Sequence, residues 1–413
     1  MSPDKTSLTY RILKPKCPFV AVWFPWYWRQ SEMAELRKQA GRFTWKRNQG
    51  LARRLILIIK TLVWPLVAFI QILTLLCTSS KEVATMSRRS QIRQLFALIY
   101  FTFWRGFPPE KYYKTRFYNE NLFLVIDDFI SGKELLILNS LISEGRDPAL
   151  INNKLRFDEH CRNNHLPVVP ILEIYSNGKR EQREPNLPIP KTSLYLKPVN
   201  GLQGRGIQRW DFDRESETWS FNNEIFDEHD LIEHFKKHSL SQSYLLQKAE
   251  TNHETISSLS KGGLITFRVI TISAKENKAE IMAAYAGMPL GMMIANHAVY
   301  GGIASRIDEH TRVLGAAYSI KPRADNISIH PDTKETIKGF HLSRWPELKT
   351  LAIMAHNCFP NTFSIGWDLV FTPKGPQILE GNTQWGSRPG FFIGTMNYAK
   401  PYTQFLSEHP VNG

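Results

Sequence analysis

At 413 residues with 42% apolar content, the chain is long enough to bury a sizeable core, which excludes a disordered polypeptide. Its net charge of +14 resembles a nucleic-acid footprint until it is located: residues 1–105 hold 18 Lys and Arg against 4 Asp and Glu, and the rest of the chain is balanced. A basic excess confined to an apolar, Trp-rich segment argues against nucleic-acid binding by the globular part.

The first predicted region, 1–105, holds six of the eleven tryptophans, Trp23, Trp26, Trp28, Trp45, Trp64 and Trp104. Tryptophan mixed with Lys and Arg suits a membrane interface, where the rings sit at headgroup depth and the cations meet anionic lipid. Between Lys60 and Lys81 lie twenty uncharged residues, enough to cross a bilayer as a helix. A single crossing would nevertheless export one of two basic clusters, the thirteen cations ending at Lys60 or the group around Arg88, Arg89 and Arg93. With Pro65 inside the run and Arg53, Arg54 and Lys60 just upstream, the pattern is read as a re-entrant or in-plane element at the cytoplasmic face of a membrane. The competing reading is an ordinary buried helix over 61–80. No convincing secretory signal is present. Cys17, Cys77, Cys161 and Cys358 have no metal-binding spacing and read as small buried apolar residues in a reducing compartment.

From about residue 110 the pattern is that of a mixed protein. Short β-like runs at 122–126, 193–197, 244–247, 264–273 and 281–285 alternate with helical stretches at 157–164 and 227–238, which predicts α+β or α/β. Residues 175–190, rich in charge, Asn and Pro, read as an exposed connection.

Two constellations carry chemistry. The first is KPVNGLQGRGI, from Lys197 to Ile207, directly after a strand. Gly201, Gly204 and Gly206 free backbone N–H groups to approach phosphate oxygens, and Lys197 supplies a point charge. It is not a Walker loop, because no Gly-Lys-Ser/Thr follows, and its glycines open no long helix as a dinucleotide fingerprint would. A flexible hairpin with one exposed lysine is the plain alternative.

The second, GWDLVFTPKGPQILEGNTQWG, places Asp368 in an alternating run, a turn at 372–375, and a return strand ending in Glu380-Gly381-Asn382. Residues 380 and 382 share one strand face, and a hairpin brings residue 368 across from them. Two carboxylates and an amide oxygen form a hard-oxygen set suited to Mg²⁺ on nucleotide phosphates.

The order of these residues resembles that of ATP-grasp enzymes: a lysine-glycine loop, an Arg-bearing strand, then Asp, eleven residues, Glu, one residue, Asn. The loop is similar to the phosphate loop of their glutamate-adding ligases. Over about residues 88–390 the chain resembles more closely the sugar-transfer associated ATP-grasp family, in NNKLRFDEHC around Lys154, TFRVIT around Arg268, GGIASRID from Gly301 and HPDT from His330. The resemblance implies an α+β ATP-grasp fold, two α+β subdomains gripping ATP, with an N-terminal helical, apolar and basic extension. Residues 1–105 are then the extension, 106–192 the first part of the ATP-grasp unit, 193–250 the nucleotide-gripping subdomain and 251–413 the catalytic, Mg-binding subdomain.

The same resemblance implies that Lys154 and Lys197 contact phosphates, that the strand end 246–250 meets adenine, with Gln247, Lys248, Ala249 and Glu250 as nucleotide contacts, and that Arg268 steadies phosphate during catalysis alongside Lys197. It also implies that Asp368, Glu380 and Asn382 hold magnesium. Two departures stand out: Gln247 and Lys248 replace residues that are often acidic in the family, and Asn296-His297 precede Gly301 with one extra residue of spacing. Arg306, Lys321 and Arg388 are further cations able to grip an acidic substrate, while His253, His297 and His330 read more readily as structural than as bases. The expected activity is ATP-dependent ligation through an acyl phosphate, in polysaccharide or glycoconjugate modification. The rivals are a sugar kinase and a non-catalytic nucleotide-binding scaffold at the membrane.

Overall fold

The computed structural model describes residues 24–124, 126–142, 149–183, 188–200, 206–273, 278–291, 302–319, 324–360, 362–385 and 399–408. Gly201, Gly204, His297, Lys321, Arg388 and Cys17 lie outside the described residues. The chain divides into two compact units, Met1–Glu144 with Gly386–Gly413, and Gly145–Trp385.

The first unit is helical. Helix α1 (Glu32–Arg47) starts at Ser31, whose hydroxyl accepts from Ala34 N at 3.2 Å, and it carries acids in its first turn and bases in its last, which suits the helix dipole. Its buried Arg37 donates to Glu134 Oε1 at 2.6 Å, and its guanidinium lies 4.2 Å from the Phe107 ring centroid. Helix α2 (Leu51–Ser87) runs unbroken through Pro65, so the apolar run is one continuous helix and not a re-entrant turn. A proline inside a helix costs about 3 kcal/mol. Packing beside it offsets that cost, because Trp64 stacks edge-on with Phe24 at 4.9 Å and Phe103 at 5.6 Å.

Burial on α2 follows one stripe: Thr61, Trp64, Ala68, Ile72, Ser80 and Val83. The reading of a buried helix therefore holds for that stripe alone, since Leu62, Leu66 and Phe69 on other faces are exposed. Cys77 is exposed too, against expectation. Helix α3 (Gln91–Ile99) continues as a π-helical turn, Tyr100–Trp104. Its buried Gln94 donates to Ser80 O at 3.0 Å and accepts from the Tyr113 hydroxyl at 2.8 Å. The strand expected at 122–126 is instead the short helix Glu120–Leu124 and the 3₁₀ turn Ile126–Asp128. A short apolar run does not distinguish a strand from a packed helix, and here Phe123 packs on Tyr100 with ring centroids 6.0 Å apart. Helix α4 (Gly132–Ile142) and the C-terminal helix Ala399–Glu408 complete the unit, joined by Tyr402 Oη donating to Asn139 at 2.8 Å.

The second unit holds two seven-stranded sheets. The first contains β1 (Ile171–Ser176), β2 (Lys179–Gln182), β3 (Leu194–Pro198), β4 (Gln208–Asp213), β5 (Thr218–Phe221), β6 (Glu224–Phe226) and β7 (Tyr244–Lys248), in the order β2-β1-β7-β3-β4-β5-β6. The second contains β8 (Thr266–Ser273), β9 (Ala279–Met288), β10 (Ile303–Asp308), β11 (Val313–Ser319), β12 (Ala324–Ile327), β13 (Ser364–Thr372) and β14 (Gly375–Asn382), in the order β12-β11-β10-β9-β8-β13-β14. Every described strand pairing in these sheets is antiparallel, which decides for α+β over α/β.

Residues 175–182 are not a loose connection. Asn177 and Gly178, at φ 52° and 74°, form a tight turn between β1 and β2. Helix α5 (Lys154–Asn163), helix α6 (Glu228–His238) and helix α7 (Trp345–Asn357) also belong to this unit. The core of the second sheet lies on one face, where Phe267, Val269, Ala284, Trp367 and Leu369 pack with Leu348 and Ala352 of α7. The alternate residues of the same strands are left for the other face.

Candidate functional site

Cross-strand register builds the site. Arg306 on β10 pairs with Tyr285 on β9, Tyr285 with Arg268 on β8, Arg268 with Asp368 on β13, and Asp368 with Glu380 on β14. Residues directly opposite one another project from the same face of a sheet, so five polar side chains form one row across five strands. A bulge sets the last step: Asp368 faces Glu380 but Leu369 faces Ile378, so Leu379 is the extra residue that returns Glu380 to the face of Asp368. Asn382, two residues on, lies on that face as well.

Within the row, Arg268 grips Asp368 with both ends of its guanidinium, Nε to Oδ1 at 2.5 Å and Nη2 to Oδ2 at 2.7 Å, and its Nη1 donates to Trp385 O at 2.8 Å. Both side chains are buried, at 8% and 6% exposure, so neither charge is tolerable alone. Burial by itself would lower the Arg268 pKa, but Asp368, Tyr285 and Glu380 more than reverse this and hold it above its ordinary value. Burial raises the Tyr285 phenol to about 12, which keeps it a neutral hydroxyl.

Asn382 Nδ2 donates to Glu380 Oε1 at 3.0 Å, so the amide oxygen is the atom left to meet a cation. Gly381 between them serves packing: a Cβ there would lie 3.0 Å from Phe157 Cε2 and 3.2 Å from Trp367 Cζ3. The glycine lets α5 close on β14 from the core side. Gly366, opposite Asn382, is covered by Trp385 so closely that a Cβ would fall 2.1 Å from the Trp385 Cβ.

The cations come from elsewhere in the unit. Lys197 is the last but one residue of β3, and its Nζ donates to Gln247 Oε1 at 2.8 Å while Gln247 Nε2 donates to Val169 O at 2.9 Å. Gln247, expected to contact nucleotide, spends its side chain on holding Lys197. Burial pulls the Lys197 pKa down to about 8, against the field of Glu380 and together with that of Lys154. Lys154 stands at the first position of α5 after the cap Asn153, and its Nζ donates to Val199 O at 3.4 Å. A cation at a helix N-terminus opposes the dipole, a local cost that marks a placement made for another reason. Burial lowers its pKa too, again opposed by Glu380. Glu380 thus acts on Lys154, Lys197 and Arg268 across stretches of chain far apart in sequence.

The described part of the glycine loop fits this setting. The loop joins β3 to the antiparallel β4, and Gly206, at φ 76°, sits where a Cβ would be 3.0 Å from Pro198 Cγ. At the strand end expected to meet adenine, Ala249 N donates to Ser193 O at 2.9 Å, and Lys248 and Glu250 are half-buried.

Of the histidines singled out in the sequence, the two described, His253 and His330, each hold a local turn. His253 caps the short helix Glu254–Ser257 by accepting from Thr255 N at 3.2 Å and lies 2.9 Å from Arg344 Nη1. Buried His330 accepts from Asp332 N at 3.2 Å. Sequence reasoning missed Tyr285, whose place is visible only once β9 is registered between β8 and β10.

Two carboxylates and an amide oxygen in one corner of the row fit a hard cation that takes few protein ligands, such as Mg²⁺. Among the described residues no group of three or more His, Cys, Asp and Glu could hold a metal ion. Two lysines that bear the cost of burial with Glu380 as their shared acid fit a polyphosphate, whose charge relieves that cost.

The profile of the family described as sugar-transfer associated ATP-grasp matches residues 113–391. No curated protein matches the chain significantly. Among solved structures, D-alanyl-alanine synthetase A from Vibrio cholerae is 13% identical at a TM-score of 0.37, over 64% of this chain and 66% of its own. An L-amino acid ligase from Bacillus licheniformis is 14% identical at 0.31, over 58% and 42%, so neither relative is matched over two thirds of its length. A RimK domain ATP-grasp protein from Sphaerobacter thermophilus is 11% identical at 0.33, over 66% and 76%. Likenesses this distant carry no part of the assignment, which rests on the family match. That match spans both sheets and the whole row from Arg306 to Glu380, and the chain therefore belongs to the sugar-transfer associated ATP-grasp family, and with it to the ATP-grasp enzymes.

Proposed function

We propose that the chain is a MgATP-dependent ligase that activates a carboxylate as an acyl phosphate and passes it to an amine, in the modification of a polysaccharide or glycoconjugate. The observation that supports this reading is the cross-strand row of Arg268, Asp368 and Glu380, with Glu380 acting in addition on Lys154 and Lys197.

In the first step a carboxylate oxygen attacks the γ-phosphorus and the bond to ADP breaks. In the second the amine attacks the acyl carbon and orthophosphate leaves. The protein supplies position and field more than covalent chemistry. Lys197, pinned by Gln247, and Lys154 hold the triphosphate. Asp368, Glu380 and Asn382 would hold Mg²⁺, which supplies charge neutralisation on the phosphate oxygens when bound. Arg268, locked by Asp368 and the Trp385 carbonyl, presents a fixed positive edge to charge developing on the transferred group. Tyr285 and Arg306 continue the row away from the acidic corner, at about 5 Å per strand, and we assign that end to the acceptor carboxylate.

Lys197→Ala and Glu380→Ala are each expected to cut MgATP turnover by about a thousandfold while the protein stays folded. Full turnover in either variant removes that residue from the mechanism. Product analysis separates the chemistry: orthophosphate with a new amide supports the ligase, whereas a phosphorylated acceptor makes the enzyme a kinase using the same side chains.

A further inference from the structure

Helix α2 is the one described helix long and apolar enough to cross a membrane, and its surface shows two apolar stripes instead of one. The inner stripe, from Thr61 through Trp64, Ala68 and Ile72 to Val83, is buried within its own unit. The outer stripe, Leu55, Ile59, Leu62, Leu66, Phe69 and Leu73, recurs at three- and four-residue spacing and is exposed, with Leu62 at 63% and Leu66 at 64%. On α3 and its π turn a second stripe, Ile92, Phe96, Tyr100 and Trp104, is also exposed, Ile92 and Phe96 at 68% and 67%. Apolar patches this long do not face water without a reason.

We propose that the first unit docks in the plane of an anionic bilayer leaflet, the outer stripe of α2 sinking to acyl-chain depth while the helix stays parallel to the surface.

Three observations select this occupant and this orientation. Charge comes first: Arg53 and Arg54 before the stripe and Lys81, Arg88 and Arg93 after it are exposed, and an in-plane helix places both groups in the headgroups of one leaflet. A crossing helix would put one group on the far side. Second, Gln71, near the middle of the apolar run, donates to Glu110 Oε2 at 3.3 Å. A helix that crossed with its unit attached would carry that carboxylate to the bilayer midplane, where a charge is expelled. Third, the exposed hydroxyls of Thr74 and Thr78 donate to Ile70 O and Thr74 O at 3.0 and 2.9 Å, which leaves their donors satisfied without water.

The full chain is to be co-sedimented with vesicles of phosphatidylcholine alone and of phosphatidylcholine with about 30% phosphatidylglycerol. Binding is expected mainly to the anionic vesicles, falling about tenfold as NaCl rises from ~50 to ~500 mM. The triple variant Leu62→Ser, Leu66→Ser, Phe69→Ser is expected to lose about a hundredfold in partitioning at unchanged Tm. Equal binding of that variant, or no binding of the native chain to either vesicle, overturns the proposal. So does a concentration-dependent dimer that the triple variant abolishes, which would give the face to a second copy. Orientation is read by an impermeant maleimide on sealed inverted membrane vesicles, with Ala52→Cys and Ser87→Cys each on a Cys77→Ser background and compared with that background. Labelling of both ends from one side supports the in-plane helix, and labelling from opposite sides refutes it.

Discussion

Helix α2 and the sheet of β8, β13 and β14 each present two faces, and they depart from the usual division in opposite ways. An ordinary surface element is apolar inside and polar outside. The helix is apolar on both sides, with Trp64 buried and Leu66 exposed two residues later. The sheet is apolar beneath, at Trp367 and Leu369, and carries a buried ionic row above, at Arg268 and Asp368. Exposed apolar surface calls for a nonpolar medium, and buried charge calls for a partner of opposite sign, which Arg268 and Asp368 supply to each other. The difference teaches that each region leaves a distinctive face its own core does not use, and the two proposals above place the functions there.

The comparison breaks most easily at the ionic row. Asp368→Ala should destabilise the protein by about 3–5 kcal/mol, because it strands a buried guanidinium, and should abolish turnover as well. The double variant Arg268→Met, Asp368→Leu should recover most of that stability by urea denaturation yet remain inactive, which separates the row's chemistry from the fold. A stable Asp368→Ala single variant would show that the row is not buried as described.

On the helix, Trp64→Ala should cost about 3 kcal/mol from the inner stripe. Leu66→Ser on the outer stripe should stay within about 0.5 kcal/mol. Equal losses in thermal unfolding would mean that both stripes are core.

The apolar side of the sheet has its own signature. His356 is buried on α7, its Nδ1 2.6 Å from Thr271 Oγ1 and its Nε2 3.0 Å from Thr362 O, and Trp367 Nε1 donates to the same Thr271 hydroxyl at 2.8 Å. Burial lowers its pKa to about 4, so the unfolded chain takes up a proton first as pH falls below the ordinary 6.5. Stability is complete above pH 6.5 and is lost progressively down to about 4, by at most about 3 kcal/mol. His356→Gln should flatten that part of a pH-dependent denaturation curve.

The smallest effect concerns Lys197. Its pKa of about 8 means that the free enzyme loses this cation as pH rises through that value, so MgATP affinity should weaken by up to about tenfold per unit above it. Lys197→Arg, which stays charged, should bind without that dependence in calorimetric titrations.

Chemistry and local spacing singled out Asp368, Glu380 and Asn382 around a turn at 372–375, and Lys197 by its position before the glycines, although alternation without a bulge sets Glu380 opposite Trp367. The helices at 157–164 and 227–238 were readable from periodicity for the same reason. Their partners across space were not. The pairing of β9 between β8 and β10, which brings Tyr285 and Arg306 into the row, joins segments whose relation no local pattern encodes. The bulge at Leu379 and the use of Gln247 to hold Lys197 were equally invisible.

By itself the sequence determined the order of lysines, glycines and hard-oxygen side chains along the chain, and that residues 1–105 carry the whole basic excess, since composition, spacing and alternation are properties of short stretches of chain. Tertiary structure alone decided the register of the row, the helix in place of a strand near 122–126, and which stripe of α2 is hidden. Each of those depends on what packs opposite, and the partner is fixed by contacts between residues far apart along the chain.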